Sequence, residues 1–364
     1  MAYNILSITP AHNSSICLLS DGEIIYFLEE ERLSRKKRDC NPLRVINSII
    51  NKYKIDAVVL AGVNDQSPTL VGPGNESLYY SIVRKYYPNI KTYYLGNLHH
   101  KTHSLNSFYN SGFSKALSII VDGNGSRNSH KFSDLKFKSD EIESIMVHSY
   151  PTKTNIFNST QLCHTLKKDI FVENNSFINS IGIGKSYEAI SEFLGFGRDE
   201  GGKTMGLSSF GKKNLNIPTI VSKDFRNKDL FKYESREDCQ QPNLKANIFD
   251  EYSFEDIAWK IQSDTQQLVG DYIEKAIQET GLKQVCCSGG YFLNCVTNYY
   301  LLKRFPDVEF YFEPIANDAG TAIGAAKLIW HEKTQDTTIR PQKTLYYGPK
   351  YSKEDLLKGI KKYT

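Results

Sequence analysis

One order of secondary-structure elements occurs twice in this chain, and the repetition limits the available folds more than any single motif. The first copy begins with three short strands, because apolar residues alternate along each and Asp21-Gly22 forms a turn typical of a hairpin. Apolar residues at helical spacing then alternate with short apolar runs, which predicts helix, strand, helix and strand. The predicted elements are strands 3–9, 15–19 and 23–28, helix 42–53, strand 56–62, a helix around 77–87 and strand 92–95.

The second copy follows the same order but contains a long insertion. A polar stretch rich in Asn and Lys, about residues 212–247, has little periodicity, and we interpret it as an insertion at the surface. The predicted elements are strand 116–122, hairpin partners 129–135 and 145–149, helix 254–280, strand 284–287, helix 291–305, strand 308–313 and helix 320–331. The sequence therefore predicts an α/β fold of two βββαβα lobes, residues 1–115 and 116–335, with glycine turns that face a nucleotide cleft.

Composition excludes several classes of protein. The 364 residues are 40% hydrophobic and 24% charged, which is ordinary for a globular chain, and no run approaches the roughly 20 apolar residues of a membrane span. The seven cysteines form no CxxC pair, so we expect reduced thiols and a cytoplasmic protein. A net charge of +4 is too small to predict nucleic-acid binding, and we interpret the basic run of residues 32–38 as a solvated loop.

Two histidines and two aspartates form a candidate metal site. His99 and His103 are four residues apart, so a helix would place both imidazoles on one face. Asp122 follows an apolar strand, and Asp318 lies in a turn just before a helix. Imidazole and carboxylate together suit a divalent transition metal with open coordination positions. Spacing alone is equally compatible with a polar helix face, and His100 also shares a face with His103.

Several glycine turns are candidates for nucleotide binding. Gly123 and Asn124 follow Asp122, and Gly289 and Gly290 lie between a strand and a helix, where backbone amides can approach phosphate. Such glycines also occur for geometric reasons alone. Asn294 is interpreted either as a ligand to ribose or base, or as a helix cap.

Six ordered blocks resemble the O-carbamoyltransferases of the nodulation, cephamycin and tobramycin type. The first block departs from the family pattern at two positions, with Ala11 in place of glycine and Asn13 in place of aspartate. The blocks are Pro10-Ala-His-Asn-Ser-Ser15, Glu29-Glu-Glu-Arg-Leu-Ser-Arg35, His99-His-Lys-Thr-His103 with Ser107-Phe-Tyr109, Gly201-Gly-Lys-Thr-Met-Gly-Leu207, Gly289-Gly-Tyr-Phe-Leu-Asn294 and Asn317-Asp-Ala-Gly-Thr-Ala-Ile-Gly-Ala325.

The resemblance implies a duplicated actin/Hsp70-like (ribonuclease H-like) fold and a metal, iron first, held by His99, His103, Asp122 and Asp318. It implies transfer of a carbamoyl group from carbamoyl-adenylate, derived from carbamoyl phosphate and ATP, to a hydroxyl. The acceptor would be a small molecule, a sugar or a hydroxymethylated pyrimidine in viral DNA. Residues 336–364 resemble a linker toward a C-terminal activating domain, which we expect as a further domain or a separate polypeptide.

Two further residues receive roles, and two alternative functions stay open. His12 is predicted to be a general base or a carbamoyl-orienting group, because imidazole titrates near neutral pH, but a structural role in the turn is nearly as compatible. Lys203, in the fourth block, would contact phosphate. The alternatives are a tRNA threonylcarbamoyl transferase and a non-catalytic nucleotide-binding module that needs a partner.

Overall fold

A computed structural model describes residues 2–62, 77–132, 135–163, 165–166, 168–222, 226, 228–232, 241–245, 247 and 249–363. Parts of the sequence predictions lie outside these residues. They are the end of the predicted strand 129–135, positions 223–225, 227, 233–240 and 246 of the predicted insertion, and Cys239.

The first copy forms a five-stranded sheet. Strands β1 and β2 and strands β2 and β3 pair antiparallel, whereas β1 with β4 and β4 with β5 pair parallel, in the order β3-β2-β1-β4-β5. Both faces of β1, β2 and β4 are buried, which matches their nearly continuous apolar sequence. The strands are β1 Asn4–Thr9, β2 Ser15–Ser20, β3 Glu23–Glu29, β4 Ala57–Leu60 and β5 Lys91–Tyr94.

The second copy repeats this sheet with additions at one side. Five of its strands lie in the order β9-β8-β6-β12-β13, with the same succession of antiparallel and parallel pairs as in the first sheet. The predicted duplication and the α/β class are therefore confirmed. The strands are β6 Lys115–Val121, β7 Arg127–Phe132, β8 Leu135–Ser149, β9 Lys153–Leu162, β10 Ile170–Val172, β11 Asn175–Ile178, β12 Gln284–Ser288 and β13 Glu309–Phe312.

Helices connect these strands, and none in the described part of the chain is long and apolar enough to cross a membrane. The helix predicted over residues 291–305 is wrong as a continuous element. Asn294 has extended backbone and its side chain accepts a hydrogen bond from the Thr297 amide, so a 3₁₀ turn, Gly290–Leu293, ends there and a new helix begins. The helices are α1 Glu31–Ser34, α2 Leu43–Ile49, α3 Leu78–Arg84, α4 His99–Ser111, α5 Ile183–Phe193, α6 Gly201–Ser208, α7 Phe254–Thr280, α8 Cys295–Arg304, α9 Thr321–Thr334 and α10 Lys353–Tyr363.

The last helix of each copy crosses to the other copy, and the two pack together between the sheets. Helix α4 lies against β6 and β12 of the second sheet, α9 lies against β1 and β2 of the first, and the two helices contact each other. One hydrophobic cluster accordingly contains residues of both sheets and of both helices. Small residues permit the close crossing: a Cβ on Gly324 would lie 2.0 Å from the carbonyl oxygen of Thr102.

The insertion is not purely a surface segment, which corrects the sequence interpretation. Within its described residues, Arg226 forms a buried ion pair with Glu143 of β8, with an Nη2 to Oε2 distance of 2.8 Å. The apolar residues of the insertion are too sparse to show a helical or strand period, yet they pack into the core of the second copy. The buried apolar residues are Ile217, Ile220, Val221, Leu230 and Phe231.

Gly324→Ala tests the close crossing of α4 and α9. The new methyl group would overlap the Thr102 carbonyl, so we expect a loss of about 1–3 kcal/mol in the free energy of unfolding. Urea denaturation measures this loss. The matched control is Gly206→Ala in α6, where no atom lies within 4 Å of the added Cβ, and stability should stay constant or rise slightly. Equal effects of the two substitutions would contradict the steric account.

Candidate metal centre

Four side chains from three segments meet at the start of helix α4. His99 and His103 lie one turn apart on α4, Asp122 follows β6, and Asp318 opens the 3₁₀ turn Asp318–Gly320 that leads into α9. One ligand atom from each residue lies within 4.8 Å of the ligand atoms of the other three. The structure therefore brings together all four residues that the sequence suggested as metal ligands.

The distances within this cluster fit a shared cation. His99 Nε2 lies 3.1 Å from both Asp122 Oδ2 and His103 Nε2, and His103 Nε2 lies 3.4 Å from Asp318 Oδ1. Ligand atoms about 2.1 Å from one metal ion are separated by about 3.0–3.4 Å in octahedral or tetrahedral geometry. These three pairs have such separations, whereas His99 Nε2 to Asp318 Oδ1 and His103 Nε2 to Asp122 Oδ2 are longer, at 3.6 and 3.8 Å. Two imidazoles and two carboxylates are a donor set that fits a divalent transition metal.

The burial of the cluster also supports a bound cation. Both histidines are completely buried, and Asp318 retains only 3% of its exposure. Asp318 Oδ2 is buried and accepts no hydrogen bond from the described residues. A buried carboxylate is costly unless positive charge pairs with it, and a metal ion beside Oδ1, together with His12 beside Oδ2, would compensate for the charge of Asp318.

The electrostatics of the cluster favour positive charge at its centre. Burial alone would lower the pKa of His99, but the neighbouring carboxylates Asp318 and Asp122 raise it to about 9. Burial alone would raise the pKa of Asp122, but its hydrogen bond with His99 and the nearby imidazoles hold it well below its usual range. In the absence of a metal, a proton on His99 thus neutralises part of the negative charge.

Neighbouring groups fix the orientation of these side chains. The Gly290 amide donates a hydrogen bond to Asp122 Oδ1 (3.1 Å), and Ser288 Oγ lies 3.4 Å from His103 Nδ1. His100 points elsewhere, since its Nδ1 lies 2.7 Å from Ser144 Oγ. The ambiguity that His100 introduced at the sequence level is thereby removed: it is not a member of the cluster.

The cluster opens into a cavity of about 380 Å³. Asp122 and Asp318 line it, together with His12 from the connection between β1 and β2. His12 Nδ1 lies 3.4 Å from Asp318 Oδ2, and about half of the His12 side chain is exposed. The histidine that the sequence suggested as catalytic therefore lines the cavity beside one of the candidate ligands.

The residues suggested for nucleotide binding fall into two groups. Gly123, Gly290 and Asn294 line the cavity, although Asn294 also donates a 2.8 Å hydrogen bond to Gln262 Oε1 and caps α8. Gly289, Asn124 and Lys203 do not line it. Gly289 has a positive φ of 96°, and a Cβ there would lie 2.3 Å from the Val121 carbonyl oxygen. Lys203 is exposed, with its ammonium 3.6 Å from Glu200.

Several cavity residues were missed by sequence reasoning. Arg38 and Lys37 belong to the basic run that was interpreted as a solvated loop, and the structure places both on the cavity wall. The adjacent Glu29-Glu-Glu31 block was the available signal, because Glu31 Oε2 accepts a hydrogen bond from the Arg38 amide. The wall opposite contributes Tyr187, Glu188, Arg198 and Asp199.

The chain was then compared with known families. Residues 81–327, which include every residue of the cluster, match the family model described as the N-terminus of carbamoyltransferases. The chain belongs to this family. It is also similar to a solved structure of HypF from T. kodakarensis, with a TM-score of 0.57 at 11% identity over 92% of this chain and 48% of that one, which supports the predicted actin-like duplicated fold.

Curated relatives of this carbamoyltransferase-family chain are longer than the chain itself. An uncharacterised protein of Synechocystis sp. is 25% identical over 96% of the chain and 61% of the relative. Nodulation protein NolO of Bradyrhizobium diazoefficiens is 24% identical over 70% of the chain and 42% of the relative. The aligned part of this chain thus corresponds to about half of such a protein.

Removing both imidazoles tests the metal assignment. The double variant His99→Ala with His103→Ala should lose bound divalent metal, because two of four ligands disappear. Metal content per chain, measured by mass spectrometry after dialysis, checks this result. His148→Asn, which changes a buried imidazole outside the cluster, should keep the metal content of the wild type. Unchanged metal in the double variant would overturn the ligand set.

Metal affinity should depend on pH through His99. Because its metal-free pKa is about 9, His99 carries a proton at neutral pH that the metal must displace. The affinity should therefore rise by about tenfold per pH unit between pH 6 and 8, and level off above pH 9. Calorimetry in buffers of different ionisation enthalpy should detect about one proton released per metal ion. Binding without proton release would contradict the assigned role of His99.

Proposed function

We propose that the chain is the transfer half of a metal-dependent O-carbamoyltransferase. In this proposal it moves a carbamoyl group from carbamoyl-adenylate to a hydroxyl of a small molecule, a sugar or a hydroxymethylated pyrimidine. One observation carries the proposal: a buried His99, His103, Asp122 and Asp318 cluster opens into a cavity beside His12, in a chain of the carbamoyltransferase family. A divalent metal, with iron as the first candidate, would be held by these four residues.

The reaction needs one proton transfer and one leaving group. The acceptor oxygen attacks the carbamoyl carbon, the bond from that carbon to the phosphate oxygen breaks, and AMP leaves with the bonding electrons. The hydroxyl proton goes to a base, for which we propose His12. A bound metal would supply electrostatic stabilisation for the negative charge that develops on the phosphate.

Asp318 connects the metal cluster to the proposed base. Its Oδ1 lies 3.4 Å from His103 Nε2, while its Oδ2 lies 3.4 Å from His12 Nδ1. The carboxylate can therefore serve a metal with one oxygen and orient the His12 ring with the other. Because Nδ1 of His12 faces Asp318, Nε2 is the ring nitrogen that remains for the proton of the acceptor.

One part of the cavity wall suits an anionic donor, although carboxylates line other parts of it. Gly123 and Gly290 permit close approach of a ligand to the backbone beside Asp122, and cationic Arg38 and Lys37 line the same space. Formation of carbamoyl-adenylate from carbamoyl phosphate and ATP is proposed to occur on a further domain or a separate activating protein. The length of the curated relatives supports this division of labour.

His12→Asn tests the catalytic role of His12. With supplied carbamoyl-adenylate and a panel of alcohols, sugars and 5-hydroxymethylated nucleosides, the variant should lose about 10²–10⁴-fold in kcat. Product formation is followed by mass spectrometry. The KM for carbamoyl-adenylate and the metal content should stay near those of the wild type, which separates a lost base from a damaged site. Full transfer by the variant would remove His12 from the mechanism.

A further inference from the structure

Lys37 and Arg38, which line the cavity, are paired with the carboxylates of Glu200 and Asp199, and of these two Asp199 lines the cavity as well. Lys37 Nζ lies 2.8 Å from Glu200 Oε1. Arg38 forms an ion pair with the Asp199 carboxylate and donates a 3.0 Å hydrogen bond from Nη2 to the Asp199 carbonyl oxygen. Lys37 and Arg38 belong to the first copy, between α1 and α2, whereas Asp199 and Glu200 belong to the second copy, just before α6. The pairs therefore join the two copies across the cavity.

These ion pairs are easily exchanged. One side chain of each pair is largely exposed, Lys37 at 68% and Asp199 at 61%, whereas Glu200 and Arg38 are 33% and 30% exposed. Ion pairs that water reaches contribute little stability because water screens them. A phosphate monoester such as AMP carries more negative charge and more acceptor oxygens than one carboxylate, the phosphate of carbamoyl-adenylate carries the same single charge, and the guanidinium fork of Arg38 matches the geometry of both. An incoming phosphate monoester would therefore bind these cations better than the present partners do.

The exchange needs no large movement of the backbone. Arg198, next to Asp199, donates 3.1 Å and 2.9 Å hydrogen bonds to the Pro242 carbonyl oxygen and to Asn243 Oδ1. The segment thus stays tethered while the side chains of the next two residues rotate. Arg38 and Asp318 line the same cavity, so a phosphate held by Arg38 would share that space with the metal cluster.

We propose that Asp199 and Glu200 compete with the phosphate of the donor for Arg38 and Lys37, as an intramolecular substitute for that anion. The two carboxylates keep the cations in position and are displaced when an adenylate binds. The inference rests on the proposed function only in naming carbamoyl-adenylate as the natural ligand. The competition itself concerns any phosphate monoester that enters the cavity.

AMP provides a direct probe of this competition. Calorimetric titration of the full chain at low ionic strength should give a Kd for AMP that is about threefold or more lower in Asp199→Asn with Glu200→Gln than in the wild type. The matched control is Asp250→Asn with Glu251→Gln, which makes the same change of net charge at an exposed acidic pair that does not line the cavity. This control should leave the Kd near that of the wild type.

A second background separates competition from a general charge effect. In Lys37→Met with Arg38→Met, AMP binding should weaken, and the added Asp199→Asn and Glu200→Gln changes should no longer tighten it. Tightening that is equal in both backgrounds, or equal in the acidic-pair control, would overturn the proposal, as would failure of AMP to bind any variant. Because AMP binding is measured without transfer, absence of carbamoyl transfer would count against the proposed function alone.

Discussion

The close packing of α4 against α9 between the two sheets is the contact on which the rest of the structure depends. Each helix belongs to one copy by sequence and packs on the sheet of the other, so the copies interlock. Gly324 and Gly320 leave no room for side chains at this crossing, because a Cβ on either would lie about 2 Å from a backbone oxygen. The crossing fixes the start of α4 beside the start of α9, and three of the four candidate ligands, His99, His103 and Asp318, lie at those two helix starts.

Duplication also explains the composition of the site. His12 and Asp122 lie in the connections that follow the first strand of each copy, whereas His99 and Asp318 lie where the last helix of each copy begins. Equivalent positions of the two copies therefore converge at one place. The side chains at equivalent positions differ between the copies, so the candidate site is asymmetric. Its imidazoles come mainly from the first copy and its carboxylates from the second.

Much of the fold could be predicted from the sequence because its signals are local. Apolar residues marked the strands of the first copy, and α7 was predicted with the bounds that it has in the structure. In the second copy the predicted strand 145–149 is only the end of β8, and β9 was not predicted. The helix predicted over residues 291–305 was wrong at its start, although a cap was one of the two interpretations of Asn294, because an asparagine can occur both at a cap and inside a helix. The buried positions of the insertion were missed because their contacts are distant in sequence and lack a helical or strand period.

The candidate site was predictable to the extent that spacing carries information. The four-residue spacing of His99 and His103 predicted that they share a helix face. Asp318, in contrast, comes near His103 through a tertiary contact between residues that are 215 positions apart in the sequence. Spacing could not predict the ion pairs of the basic run around Arg38, because its partners Asp199 and Glu200 lie on a loop that is distant in sequence. Since the candidate ligands come from both copies, a bound metal would act as a cross-link between them. Chelation should then weaken the association of the two lobes, because the metal would no longer link the ligands of one copy to those of the other.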